Sequence, residues 1–311
     1  MTNLVDVEEL EDEISEEISH GGRGEPKSIE AGTSLWKDAW YRLIRNRAAL
    51  ASGIYVGILV VLAILTPWIT PYEYDAINYD AIGQAPSLAN LFGTDILGRD
   101  LFTRCLYGLR ISIAVGLAAT LVSFIIGVSY GAIAGYKGGK VDAIMMRAVD
   151  TLYALPFIFL VIILMTLFGR NLILMFAALG AVEWLTMARI VRGQVLSLKN
   201  KEFIEAARCV GTRPRAIVFK HLIPNAMGPI IVYSTLTVPA IILAEAFLSF
   251  LGLGVQAPMA SLGSLCSDGA QGMEIYPWLI IFPGVILASL LFSLNYFGDG
   301  LRDALDPRMR R

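Results

Sequence analysis

The residues in this sequence that could do chemistry are suited to binding a partner rather than to catalysis. Segment 202–210 predicts a short helix with an apolar face, whose members recur at intervals of three, four and seven residues: Phe203, Ala206, Ala207 and Val210. Glu205 lies next to the two alanines, and Gly211 ends the helix at a turn that would strain other residues. Small side chains allow close approach and a carboxylate can contact a basic group, so we expect this helix to dock a partner protein.

Catalytic groups are scarce in the chain. It has two histidines, His20 and His221, and no cluster of residues with metal-ligand spacing. Segment 93–100 superficially resembles a phosphate-binding loop, but Arg99 and Asp100 stand where Lys and Ser or Thr would have to reach phosphate and Mg²⁺. We therefore expect no catalytic residue, no metal, no cofactor bound by this chain and no nucleic-acid partner.

The composition places the chain in a membrane. Of its 311 residues, 56% are hydrophobic and 17% are charged, and the mean hydropathy is +0.62. Apolar runs long enough to cross a hydrocarbon core of about 30 Å predict six spans, at residues 49–69, 111–134, 152–168, 172–188, 227–253 and 278–297. A polar segment, 70–109, separates the first two spans, and Pro229 and Pro239 predict that the fifth span is tilted or broken.

Cations are distributed unevenly between these spans. Of the 25 Lys and Arg residues, 21 lie on the side of the N-terminus and four lie opposite: Arg99, Arg104, Arg110 and Arg170. Because cytoplasmic segments are enriched in Lys and Arg, both termini are expected in the cytoplasm. Residues 1–35 would then form an acidic, solvated tail, residues 36–48 an amphipathic helix on the membrane lipid, and residues 301–311 a short C-terminal tail.

Two acidic residues lie within predicted spans, where charge is costly. Glu245 has two open interpretations: it faces a water-filled translocation path, or it is hydrogen-bonded in the packed interior. Glu183 lies near the cytoplasmic end of the fourth span, and we expect it to pair with Arg189 or Arg192.

Small residues and cysteines predict packing more than function. Glycines four residues apart give the second span one smooth face, which predicts close packing against a neighbouring helix: Gly127, Gly131 and Gly135. The three cysteines have no metal-type spacing. Cys105 and Cys266 are both expected outside, so a disulfide between them stays open beside the default of free buried thiols.

The docking segment also carries a known motif. Glu205-Ala206-Ala207, followed by Gly211 and then by Pro224 thirteen residues after that glycine, resembles the EAA loop. This loop marks the membrane-spanning permease subunits of binding-protein-dependent ABC importers. His221 and Ile223 stand where the family usually has Ile and Leu, and the His-x-x-Pro-Asn ending resembles the peptide-importer branch.

A second resemblance lies in the polar segment. The pattern from Gly93-Thr94-Asp95 to Gly98-Arg99-Asp100 resembles the extracytoplasmic signature of oligopeptide and dipeptide permeases. It continues with Arg104, Gly108 and Arg110-Ile111-Ser112. Segments 248–254 and 298–307 resemble the same branch, so the resemblance extends from about Arg42 to the C-terminus.

This resemblance implies a fold and a set of partners. The fold would be an all-α type I permease with six transmembrane helices, in which residues 110–300 form a five-helix core that carries the coupling loop at 199–225. The partners would be a second, similar permease subunit, two cytoplasmic ATPase subunits that bind ATP and Mg²⁺, and an extracytoplasmic solute-binding protein. The residues expected to dock the ATPase are Glu205, Ala206, Ala207, Gly211 and Pro224.

The resemblance implies a di- or oligopeptide cargo, carried across the cell membrane. Nickel chelates and other small solutes stay open as alternative cargoes. A proton-coupled secondary transporter using Glu245 would normally show inverted repeats with broken helices in both halves. A membrane scaffold that recruits a partner without transport would account for the docking loop but leave the extracytoplasmic signature without a role.

Overall fold

Helices account for the regular structure of this chain. The computed structural model describes residues 35–169 and 171–306, in an N-terminal unit that ends at Asp38 and a second unit from Ala39 onward. Within these ranges, an isolated β-bridge joins Thr94 and Asp100, and the other regular elements are helical. The α-helices are α1 (Leu35–Arg45), α2 (Arg47–Ile69), α3 (Leu101–Lys137), α4 (Gly139–Tyr153), α5 (Phe157–Phe168), α6 (Leu172–Leu198), α7 (Glu202–Cys209), α8 (Pro214–Ala216), α9 (Ile223–Phe250), α10 (Leu262–Gly272) and α11 (Trp278–Leu305).

Five stretches of helix in the described ranges are long and apolar enough to cross a membrane. They comprise α2, α3, most of α6, the continuous helix Pro214–Phe250 and α11. A sixth span results if α4 and α5 count as one broken span, bent by 83°. The predicted all-α, multi-span architecture is confirmed. The predictions for the acidic tail at 1–34, for Arg170 and for residues 307–311 lie outside the described residues.

Pro156 lies near one end of the third predicted span, 152–168, and predicts a kink in a single helix; the structure differs. The helix breaks at residues 154–156, where Pro156 follows the end of α4, and α5 contains only 12 residues. At 1.5 Å per residue α5 measures roughly 18 Å, short of the hydrocarbon thickness of about 30 Å. Two ion pairs hold α4 against α6 instead: Arg192 Nε to Asp142 Oδ1 at 2.5 Å, and Arg189 Nη2 to Asp150 Oδ1 at 2.8 Å.

The second span begins earlier than predicted. We expected polar structure up to residue 109, but α3 starts at Leu101, with Asp100 as its N-cap accepting a hydrogen bond from the Thr103 amide at 2.8 Å. Arg104 and Ser112 lie on buried faces of this helix. Arg104 fell within the predicted polar segment because the sequence does not show that its charged side chain points into the protein, whereas Ser112 lies inside the predicted span.

The later spans also have different limits from those predicted. Helix α6 continues ten residues beyond the expected end at 188, to Leu198. Helix α9 runs through Pro229 and Pro239 without a break, and the irregularity lies before it, in a π-helical turn at Ile217–Leu222. Residues 254–277, between the last two predicted spans, are rich in Gly, Ser and Pro and so predict a loop, but the structure contains α10 there.

Close packing of α3 on α6 forms the centre of the molecule. A methyl group on Gly131 would overlap the carbonyl oxygen of Ala188, and one on Gly127 would lie 2.6 Å from Cβ of Met187. On the facing helix, a methyl group on Gly180 would lie 2.9 Å from the carbonyl oxygen of Ala119. The backbones therefore approach as closely as glycine permits, which explains the glycine face predicted from the sequence.

The amphipathic helix α1 packs with one face and leaves the other exposed. Ala39 and Leu43 are buried beside Ala304 at the end of α11, whereas Trp40 and Tyr41 are 61% and 63% exposed. This arrangement suits the expected position in a membrane interface, where aromatic rings lie at headgroup level.

We expect Gly131→Ala to lower the free energy of unfolding by about 1–3 kcal/mol, because the backbone facing it cannot yield as a flexible side chain could. The thermal unfolding midpoint of the purified protein in detergent measures this effect. Gly57→Ala in α2 is the matched control, since no atom lies within 4 Å of its added methyl group. Equal midpoints for the two variants would contradict the proposed close packing.

Candidate functional site

The docking helix α7 presents the predicted face to its surroundings. Glu205 and Ala206 are exposed, and the two large apolar members of the face, Phe203 and Val210, are 41% and 86% exposed. On the opposite side, Ile204 is fully buried in a cluster with residues of α6 and of the helix that follows: Val191, Val195, Ile217 and Leu222. Helix α7 is thus anchored through Ile204, and its other face is exposed in the part of the chain that the structure describes.

Gly211 ends α7 in a Schellman motif. Its φ of +79° is left-handed, its N–H donates to the Arg208 carbonyl at 2.9 Å, and the Thr212 N–H donates to the Ala207 carbonyl at 3.0 Å. No atom lies within 4 Å of a methyl group placed on Gly211. The glycine is therefore required for its backbone conformation and not for space.

Polar contacts tie the docking segment to the ends of two spans. Lys199 Nζ donates to the Gly135 carbonyl of α3 at 3.1 Å. The Arg208 guanidinium lies 6.0 Å from the centre of the Tyr136 ring, and its Nη2 donates to the Lys199 carbonyl at 3.5 Å. Pro224 is exposed in the first turn of α9. A displacement of α7 would therefore act on α3, α6 and α9 together.

The extracytoplasmic signature forms a compact turn at the opposite end of α3. Asp95 Oδ1 accepts from the Leu97 and Arg99 amides, both at 2.9 Å, and its Oδ2 accepts from Arg99 Nε at 2.7 Å. The Thr94 hydroxyl donates to the Ala81 carbonyl and accepts from the Gln84 amide. These contacts hold the polar segment onto the start of α3.

The remaining residues of this signature have structural roles that the geometry makes clear. Asp100 caps α3 and also accepts from Asn90 Nδ2 at 2.8 Å. Gly93 and Gly98 have φ of +79° and +75°. A methyl group on Gly98 would collide with the Asn78 carbonyl. Both glycines thus combine a left-handed backbone with close approach of a second chain segment.

Glu245 lies in the packed interior. It is fully buried, and its Oε1 accepts from Ser249 Oγ at 2.8 Å and from Ser261 Oγ at 2.6 Å. Its Oε2 has no hydrogen-bond partner among the described residues and faces Gly263 in α10. Ser261 is the N-cap of α10, so Glu245 joins α9 to the start of that helix. Of the two interpretations left open, the geometry favours the packed one.

Other polar predictions have different outcomes. Arg189 and Arg192 form their ion pairs with acids of α4, so the expected pairing of these arginines with Glu183 is wrong. Cys105 and Cys266 are buried and free, as the default interpretation expected, and Cys209 is exposed. No group of three or more potential metal ligands occurs among the described residues.

Comparison with known families places the chain. Residues 127–311 match the family described as binding-protein-dependent transport system inner membrane component. Residues 34–86 match the N-terminal transmembrane domain of oligopeptide transport permease C.

The chain belongs to the first of these families.

Curated relatives match this permease over most of its length. It is 52% identical to the oligopeptide transport system permease protein OppC of Haemophilus influenzae over 281 residues, which cover 90% of each chain. It is 46% identical to OppC of Bacillus subtilis over 285 residues, covering 92% of this chain and 93% of that protein. It is 47% identical to the dipeptide transport system permease protein DppC of Bacillus subtilis over 279 residues, covering 89% and 87%.

A solved structure supports the same fold. The permease aligns with a chain of the inward-facing MetNI methionine ABC transporter with a TM-score of 0.53 and 21% identity, covering 64% of this chain and 94% of that chain. The predicted family and type I permease fold are confirmed. The permease is accordingly a multi-pass protein of the inner membrane and a component of a transport system.

Sequence reasoning missed the residues that support the site. Ile204 was overlooked because it lies outside the apolar face of α7, although an isolated Ile on the opposite side of a short helix is a usable anchoring signal. Ser261 and Asp268 lie in a segment expected to be an irregular loop. Partial burial raises the pKa of the Asp268 carboxyl, while the guanidinium groups of Arg104 and Arg99 oppose that rise.

We expect Glu245→Gln to keep uptake within about twofold, because the amide oxygen can still accept from both serines. Glu245→Leu should lower the unfolding free energy by about 1–3 kcal/mol, since it leaves two buried hydroxyls without their acceptor. Uptake by the reconstituted transporter and thermal unfolding measure the two effects. Complete loss of uptake in a stably folded Glu245→Gln variant would instead support proton transfer at this site.

Proposed function

We propose that this permease forms half of the translocation path of an ATP-driven importer of di- and oligopeptides. It would pair with a second, similar permease subunit and receive cargo from a solute-binding protein outside the membrane. The peptide assignment is supported by relatives of 46–52% identity that are named oligopeptide permeases, together with the matching extracytoplasmic signature. We assign ATP hydrolysis to separate subunits, which would bind ATP and Mg²⁺.

The observation that carries this proposal is the one-sided anchoring of α7. Ile204 is fully buried, whereas Phe203, Glu205 and Ala206 are exposed on a helix tied to α3 and α6. An ATPase that holds this free face would move α7 as a lever when its two copies close on ATP. The attached spans would then open the path outward, and hydrolysis would return it inward.

The competing proton-coupled mechanism lacks a supporting feature in this structure. Glu245 is its candidate proton carrier, but that carboxylate is 0% exposed and is held by two serines. At the outer end of α3, the turn at Asp95 and the adjoining α10 form an ordered polar structure. A scaffold without transport would have no use for that structure.

We expect Glu205→Arg and Gly211→Pro to reduce recovery of the ATPase by at least tenfold when the permease is purified from membranes. Glu205→Arg reverses a charge on the free face. Gly211→Pro cannot adopt the left-handed φ and removes an N–H that bonds to Arg208. The amount of ATPase bound per permease, from quantitative immunoblots, is the measurement.

Asp303→Arg is the charge-matched control, because Asp303 is exposed near the end of α11 and has no assigned contact with the ATPase. It should retain the ATPase. If the wild-type permease recovers no ATPase, or if both α7 variants retain it while inserting normally, the lever mechanism is refuted.

A further inference from the structure

Two cavities lie at the end of α3 that is remote from the docking helix. Their volumes are about 370 and 230 Å³. They share three charged lining residues: Arg99, Arg104 and Asp268. At the other end of α3, Tyr136 lies beside Arg208 of α7, and Gly135 accepts from Lys199, which precedes α7. The cavities and the docking helix therefore lie at opposite ends of a membrane-spanning helix. The cavities are therefore on the side from which cargo would arrive.

Arg104 is a buried cation with unused hydrogen-bond donors. It is 4% exposed, and neither its Nε nor its Nη1 has a hydrogen-bond partner among the described residues. Asp95 Oδ2 lies 3.5 Å from Nη1 but already accepts from Arg99 Nε at 2.7 Å. The other oxygen of Asp95 accepts from two backbone amides. Asp95 therefore compensates positive charge in this region but does not accept a hydrogen bond from Arg104.

An oxyanion in the cavity would complete this arrangement. Unpaired donors of a buried charged group are costly, and a guanidinium matches the two oxygens of a carboxylate. Arg99 also lines both cavities, but its charge is paired with Asp95, so Arg104 is the main attraction for an anion. Asp268 acts in the opposite direction, because its carboxylate also lines both cavities and would repel a bound anion. The site should therefore bind a carboxylate weakly, as release into a translocation path requires.

We propose that this cavity binds the C-terminal carboxylate of the peptide cargo, with Arg104 as its principal donor. This inference rests on the proposed function as a peptide importer. A recessed cavity of about 370 Å³ has the size of small-ligand sites, which begin at about 300 Å³. Leu101, Leu265 and Leu279 also line it and provide apolar contact for the last side chain of a peptide. The broad surface of a partner protein would reach the buried guanidinium of Arg104 less readily than the end of a peptide would.

The test compares two peptides that differ only at the C-terminus. The complete transporter is reconstituted in proteoliposomes with its binding protein. A tripeptide of uncharged residues is supplied as free acid or as carboxamide, and uptake is expressed per peptide-loaded binding protein. The wild type should favour the acid. Arg104→Gln should reduce the acid-to-amide uptake ratio by about tenfold, as expected for the loss of a hydrogen bond to a charged group.

Two further variants separate binding from structural damage. Arg110→Gln makes the same charge change at an exposed position of α3 and should leave the ratio unchanged. Asp268→Asn removes the repelling charge and should raise the ratio about threefold, an effect that mere loosening of the cavity would not produce.

The outcomes are distinguishable. An equal loss of acid and amide uptake in Arg104→Gln overturns the proposal, because Arg104 then supports only the structure. A loss of cargo-free ATPase stimulation by the binding protein, with an unchanged ratio, assigns Arg104 to a binding-protein contact and also overturns it. Absence of uptake of either peptide by the wild type refutes the importer function itself.

Discussion

The close approach of α3 and α6 is the contact on which the rest of this permease depends. It requires hydrogen in place of a side chain on both helices, since methyl groups on Gly131 and Gly180 would meet the backbone of the opposite helix. Within a bilayer, apolar side chains gain little free energy by moving from lipid into a helix interface. Tight packing of the two backbones therefore has to provide much of the free energy of helix association. The two helices form a common frame from which the docking segment projects at one end and the polar turn at the other.

That frame also supports α7, the eight-residue helix that we propose docks the ATPase. Isolated helices of this length are unstable in water, so α7 needs tertiary support. Burial of Ile204, the Schellman motif at Gly211 and the contact of Lys199 with α3 together provide this support. The exposed face is left free to bind because the stabilising contacts are all on the other side or at the ends. Some residues of this short helix therefore hold it in place, and different residues remain exposed for binding.

At the opposite end of α3, polar groups are removed from water and must find partners within the protein. Asp95, Asp100 and Thr94 do so mostly with backbone groups, and the two aspartates also accept from the side chains of Arg99 and Asn90. Glu245 does so with two serines, one of which caps α10. These contacts join the polar segment, α9 and α10 into one support around the cavities. Arg104 is the notable departure from this pattern, and for that reason it is the residue most suited to receive a ligand.

The membrane class, the approximate positions of most spans, the glycine face and the docking motif could all be predicted from the sequence, because apolar periodicity, glycine spacing and local turn chemistry are properties of neighbouring residues. It could not locate the start of α3 at Leu101, since the inward orientation of Arg104 depends on segments far along the chain. Nor could it show that Ile204 anchors α7, or that the bend after α4 leaves α5 short. The hydrogen bond from Ser261 to Glu245 became visible only in the folded chain, because Ser261 reaches that side chain from a segment 16 residues further along that the sequence predicted to be a loop.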